Sequence, residues 1–167
     1  MQQGGHPELL MVLMTRHQYG GDMSSNTEYA PSPTSFVADM VEKIEQAGTT
    51  TVIDHGKGVV LLTMRGAKSL KIRKVPLMRV AQDGHYAVVA SLGGAPKHPV
   101  WYYNLKAEPK IQLQDGEVTS KFVARELEGE ERDLWWTRSV EAWPDYANYQ
   151  TKTDRILPVF LLEPVIN

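Results

Sequence analysis

The 167 residues contain no cysteine. That excludes disulfides, thiolate metal sites and a cysteine nucleophile, and it fits a cytoplasmic protein. Histidine is sparse. The five present (His6, His17, His55, His85, His98) show no paired ligand spacing such as H-x-x-x-H, so no metal site is expected. Long apolar runs are missing too. Leu9–Met14 is far shorter than the roughly 20 residues of a membrane span. No Lys or Arg precedes it, as a secretory signal would require. An integral span is therefore not expected, while peripheral membrane contact through this N-terminal run stays open. Neither charge sign is in large excess. A net charge of −2 gives no general attraction to nucleic acid or to an anionic membrane. P-loop, G-x-G-x-x-G and G-x-S-x-G signatures are absent, as are internal repeats.

The length suits one domain with a sizeable core. Residues 1–30 read as a flexible leader, with Met23 an alternative start, and residues 31–167 as the folded domain. Thr34 or Ser35 can cap a helix carrying Phe36, Val37, Met40, Val41 and Ile44 on one face, closed by Gly48. Strand periodicity follows: Thr50–Asp54, Val59–Met64, Ile72–Ala81 and His85–Ser91, with Asp83-Gly84 a hairpin signal. Lys110–Gln114 and Glu117–Glu126 flank a second hairpin at Asp115-Gly116. Glu130–Ala142 reads as a helix with Trp136, Val140 and Trp143 on one stripe. Pro158 precedes a last strand, Val159–Leu162. Six or seven strands that neighbour one another in sequence, with about four helices, favour a mainly β, α+β architecture. The expectation is a small, mostly antiparallel barrel with helices outside.

Three features bear on chemistry. Between Ala87 and Asn104 an apolar strand runs into Ser91-Leu92-Gly93-Gly94-Ala95-Pro96, then into a short helix opened by Pro99 and capped by His98. A glycine turn beside a helix start lets a ligand approach the backbone, although such a turn is also an ordinary connection. Arg65, Lys68, Lys71, Arg73, Lys74 and Arg79 fall in one stretch with no Asp or Glu among them. They could grip a multiply anionic group, or simply guard an edge hairpin. Trp101, Tyr102, Tyr103, Trp135, Trp136, Trp143, Tyr146 and Tyr149 are mostly core, with Tyr146 and Tyr149 placed to face a pocket. No catalytic acid–base pair can be assigned. The pattern suits a flat, anionic cofactor that does the chemistry itself.

Several stretches carry a family resemblance. They are Gly66-Ala67-Lys68-Ser69, Arg73, Pro76-Leu77, Ala90–Gly94, Lys97–Tyr102, Asn104-Leu105 and Trp143–Tyr146, through Tyr149 to Thr153-Asp154-Arg155. From about Val59 to Pro164 the chain resembles the actinobacterial deazaflavin (coenzyme F420)-dependent nitroreductases. The resemblance implies a split β-barrel, reduced coenzyme F420 and hydride transfer to a quinone or nitroaromatic acceptor. It also implies site residues. Lys68 and Arg73, with Lys97 near, would hold the coenzyme's anionic tail. Pro76, Ser91, Leu92, Gly93, Gly94, Val100, Trp101 and Asn104 would line the coenzyme site. Tyr146, Tyr149 and Ser91 would act on the acceptor, beside Met78 and Trp143. The family pattern has a basic residue at Ala67, lysine at Leu92, and tyrosine at Met78 and Trp143. Fewer phenols favour a quinone over a nitro group. The alternatives are a split barrel using FMN and a protein that binds F420 without turnover. A nucleic-acid module is disfavoured. Both monomer and homodimer are compatible with the sequence.

Overall fold

The computed structural model describes residues 28–166. The Leu9–Met14 run and Met23 lie outside the described residues. Seven strands form one sheet: β1 (Val59–Arg65), β2 (Ile72–Met78), β3 (Ala81–Gln82), β4 (His85–Val89), β5 (Lys110–Asp115), β6 (Val118–Glu126) and β7 (Val159–Pro164). Four α-helices accompany them: α1 (Ser35–Ala47), α2 (Val100–Ala107), α3 (Gly129–Ala142) and α4 (Asp145–Thr151). The sheet order is β2-β1-β5-β6-β7-β4-β3, and every strand pair is antiparallel. The sheet curls into the split barrel expected from the sequence.

Alternation along the strands builds two layers. One side chain set points inward: Val60, Leu62, Met64, Val88, Ile111, Leu113, Phe122, Phe160 and Leu162, closed off by Leu105 of α2. The other points outward and is covered at two places. Val59 and Leu61 bury against Val41 and Ile44 of α1. Ala87, Val89, Val159 and Leu161 bury against Trp135 of α3 and Tyr146 of α4.

The Asp83-Gly84 hairpin is present, with both residues at positive φ and Gln82 facing His85. In the second hairpin Asp115 pairs with Val118, so the turn is Gly116-Glu117, one residue later than expected. Thr50–Asp54 is not a strand. Thr50–Val52 is a 3₁₀ turn, because the Thr49 hydroxyl accepts from Thr51 N–H and Thr50 ties to Gly116 from both backbone and side chain. On α3 the deepest residues are Trp135 and Ser139, one step from the expected Trp136 stripe. α2 begins at Val100 with Pro99, not His98, in the cap position.

Candidate active site

The edge strands of the sheet are β2 and β3. A cavity of about 610 Å³, with a mostly apolar lining, lies between β2 and the segment that follows β4. Phe36, Val37 and Met40 of α1 close one side. β2 supplies Arg73, Pro76 and Met78. The turn after β4 supplies Ser91, Leu92 and Gly93, and α2 supplies Val100, Trp101 and Asn104. Trp143, Tyr146 and Tyr149 close the far end with His55. The volume and the apolar-with-few-polar character fit a bound organic cofactor.

The turn has an unusual backbone. Leu92, Gly93 and Gly94 all have positive φ, at 44°, 63° and 86°. Gly94 does not border the cavity; it faces α4. A Cβ there would stand 2.5 Å from the Tyr149 carbonyl oxygen, so only glycine lets the helix come this close. Arg155 holds the turn from behind. Its guanidinium donates to the carbonyls of Ala90 (3.1 Å), Ser91 (2.8 Å) and Ala95 (2.8 Å). It also donates to His98 Nδ1 at 3.0 Å. The His98 ring stacks on Tyr102 at 4.1 Å. Burial and the Arg155 cation hold the His98 imidazole below its ordinary pKa, with Glu126 opposing. Asn104 is buried and fastens another loop. Its Oδ1 accepts from Ala67 N–H at 2.9 Å, docking the Gly66–Leu70 turn on α2.

The basic stretch divides. Lys71 pairs with Glu28, Lys74 with Glu45 and Arg79 with Asp115. Arg73 borders the cavity, and its Nη1 donates to the carbonyls of Ala30 and Pro31 at 3.0 Å each. Among the described residues no carboxylate forms an ion pair with it. Lys68 and Lys97 are exposed and do not border the cavity.

At the far end Tyr146 is 5% exposed, yet it borders the cavity. Burial first, and Tyr149 second, push its phenol up from the ordinary value, so it stays protonated and able to donate. Tyr149 OH accepts from Trp143 Nε1 at 3.4 Å. The two tyrosine rings meet edge to face at 6.1 Å. The sequence reading did not include His55 or the α1 side chains in the site, nor give Arg155 a role. His55 and α1 are distant in sequence, and no local spacing marks them. Arg155 was visible only as part of a family motif.

An apolar slot bordered by Arg73 and Lys74, a tight glycine turn and an aromatic end make a cavity on the split barrel that suits a flat organic cofactor. The sequence profile of the F420H(2)-dependent quinone reductase family matches residues 36–164, and the chain belongs to that family. It is 34% identical over 106 residues to an F420H(2)-dependent quinone reductase of Mycobacterium tuberculosis, covering 62% of this chain and 71% of that one. Among solved structures, an F420-H2 dependent reductase is 60% identical, with TM-score 0.60 over 63% of this chain and 93% of that one. Another, described as a domain-swapped dimer, is 55% identical, with TM-score 0.64 over 79% of this chain and all of that one.

Proposed function

We propose that this chain reduces a quinone with coenzyme F420 held in the cavity between β2 and the glycine turn. Bound there, the reduced coenzyme supplies hydride to the acceptor. The observation that carries the reading is the convergence of Arg73, the Ser91–Gly93 turn and the Trp143/Tyr146/Tyr149 end on one apolar cavity. Arg73 grips the anionic tail. Pro76, Gly93, Val100 and Trp101 pack the flat ring system, and the turn's lack of side chains at Gly93 lets it approach the backbone. Lys68 and Lys97, outside the cavity, add positive charge along the tail's exit. Tyr146 orients the acceptor by donating from a phenol that burial keeps protonated, and Ser91 and Tyr149 complete the polar contacts. α1 and the aromatic end keep water from the ring. Orientation and fixed dipoles supply the protein's share of the rate.

Met78 and Trp143 make the acceptor end less polar than two phenols would, which supports a quinone over a nitroaromatic. Residues 31–167 form the coenzyme-binding domain in this reading, and the protein works in the cytoplasm. Among the described residues no helix is long and apolar enough to cross a membrane. The domain-swapped neighbour supports a homodimer; a monomeric mass by sedimentation would count against it.

Arg73→Ala lowers coenzyme affinity about 10- to 100-fold, the worth of a charge-assisted hydrogen bond at ~1.5–3 kcal/mol. Fluorescence titration reads it, and an unchanged Kd sinks the tail assignment. Tyr146→Phe lowers quinone turnover while leaving coenzyme affinity in place. Equal turnover by the two proteins in stopped flow removes Tyr146 from the acceptor site.

A further inference from the structure

His55 borders the cavity at its aromatic end. It opens the His55–Gly58 turn, closed by a Gly58 N–H to His55 carbonyl bond of 2.9 Å. Gly56 has φ +55°, and a Cβ there would stand 2.5 Å from Met78 Cε and 3.1 Å from Trp143 Cε3. The turn is thus pressed onto the two side chains that shape the acceptor end. The His55 ring lies 4.7 Å from the Trp143 ring, tilted by 44°. The residue is also exposed, so water reaches it. Resting on the quinone-reductase reading of this site, we propose that His55 is the catalytic acid that protonates the acceptor oxygen.

The electron balance calls for such a group. Conversion of a quinone to a hydroquinone takes two electrons and two protons. Both electrons and one proton arrive as hydride, and the coenzyme is oxidised. An oxygen of the acceptor is left anionic and takes the second proton. An imidazolium N–H bond breaks as the new O–H bond forms, and the neutral ring is reprotonated by water. Imidazole is the side chain suited to this exchange near neutral pH. Among the described residues His55 is the one histidine that borders the cavity. The other cavity groups serve poorly. Tyr146 is a weaker acid than an ordinary phenol. Lys74 is taken by Glu45, and the Arg73 guanidinium does not give up its proton. The titratable and charged groups around His55 are Asp54 and Lys57 on its own turn, and Tyr146 and Tyr149 at the same end of the cavity. Arg79 is the last: its N–H bonds to Gly58 and its guanidinium is held by Asp115.

The test compares the wild-type chain with His55→Gln, using reduced F420 and menadione as a soluble quinone. The variant turns over about 100-fold more slowly, the lower end of general-acid contributions. Its coenzyme Kd stays within about twofold, and added imidazole restores part of the rate. Unchanged turnover overturns the proposal. Loss of coenzyme binding in the variant also overturns it, because His55 would then be structural. A wild-type chain that binds F420 yet reduces no quinone overturns the assigned reaction, and the acid with it.

Discussion

Arg155 shows how a single side chain can set a site it does not enter. Three backbone carbonyls and one imidazole nitrogen share its guanidinium, so the chain from Ala90 to His98 is folded around one cation. His98 can accept that bond only while neutral, and the structure keeps it so by burial and by the cation beside it. The depressed folded pKa fixes the sign of the pH dependence. His98 contributes stability that is fully present above the ordinary histidine value of about 6.5. That stability is lost as pH falls from there through the lower folded value, because the unfolded chain takes up the proton first. Melting temperature should therefore decline on acidification below about pH 6.5. His98→Asn should flatten that limb when melting curves are recorded from neutral to acid pH. A variant with the wild-type slope would show that His98 is not the linked group.

At the scale of elements, the glycine turn and α4 act as one unit. Gly94 sits where the turn meets the Tyr149 backbone, with φ at +86°. Gly94→Ala places a methyl group 2.5 Å from a carbonyl oxygen that cannot swing away. It also forces a side chain into a left-handed conformation, which costs about 1–2 kcal/mol. α4 must shift, and Tyr146 and Tyr149 shift with it. The expected outcome is a lower melting temperature and a loss of quinone turnover larger than the loss of coenzyme affinity. Equal losses of both would mean that the turn and the helix are not coupled in this way. Elements also mark how far the sequence could be read. Asp83-Gly84 was legible because two adjacent residues alone fix a tight hairpin. Thr50–Asp54 misled because its β-branched residues suit a strand, while the hydrogen bonds that curl it run to Gly116, more than sixty positions away. The cavity lining from Pro76 to Tyr149 was legible chiefly through the family resemblance, which carried these positions over together. Which cations remain available was not: Glu28, Glu45 and Asp115 claim Lys71, Lys74 and Arg79 from elsewhere in the chain.

On the scale of the whole molecule, a split barrel needs something to hold its two edges together where no strand pairing can. Asp115, at the end of β5, does this at one rim. Its carboxylate accepts from Arg79 Nε, just beyond β2, at 2.9 Å, and from the Tyr86 hydroxyl on β4 at 2.6 Å. The two strands stand near opposite ends of the sheet order, so one carboxylate on β5 ties both. Burial first, then the bond to Asp115, push the Tyr86 phenol up to about 12 from its ordinary value of 10.0. A raised folded pKa contributes stability that is intact below the unfolded value and lost as pH climbs through the folded one. The barrel should therefore lose stability between about pH 10 and about pH 12, as the unfolded chain gives up the phenol proton first. Tyr86→Phe removes the ionising group and should flatten this alkaline limb. Asp115→Asn keeps the phenol but weakens the clasp, lowering the melting temperature at neutral pH as well. Asp115, Arg79 and Tyr86 do not border the cavity, so that second variant should weaken F420 binding only through the spacing of β2 and β4, with every cavity side chain in place. Asp115→Asn with wild-type melting and wild-type affinity would show that strand pairing alone sets that spacing.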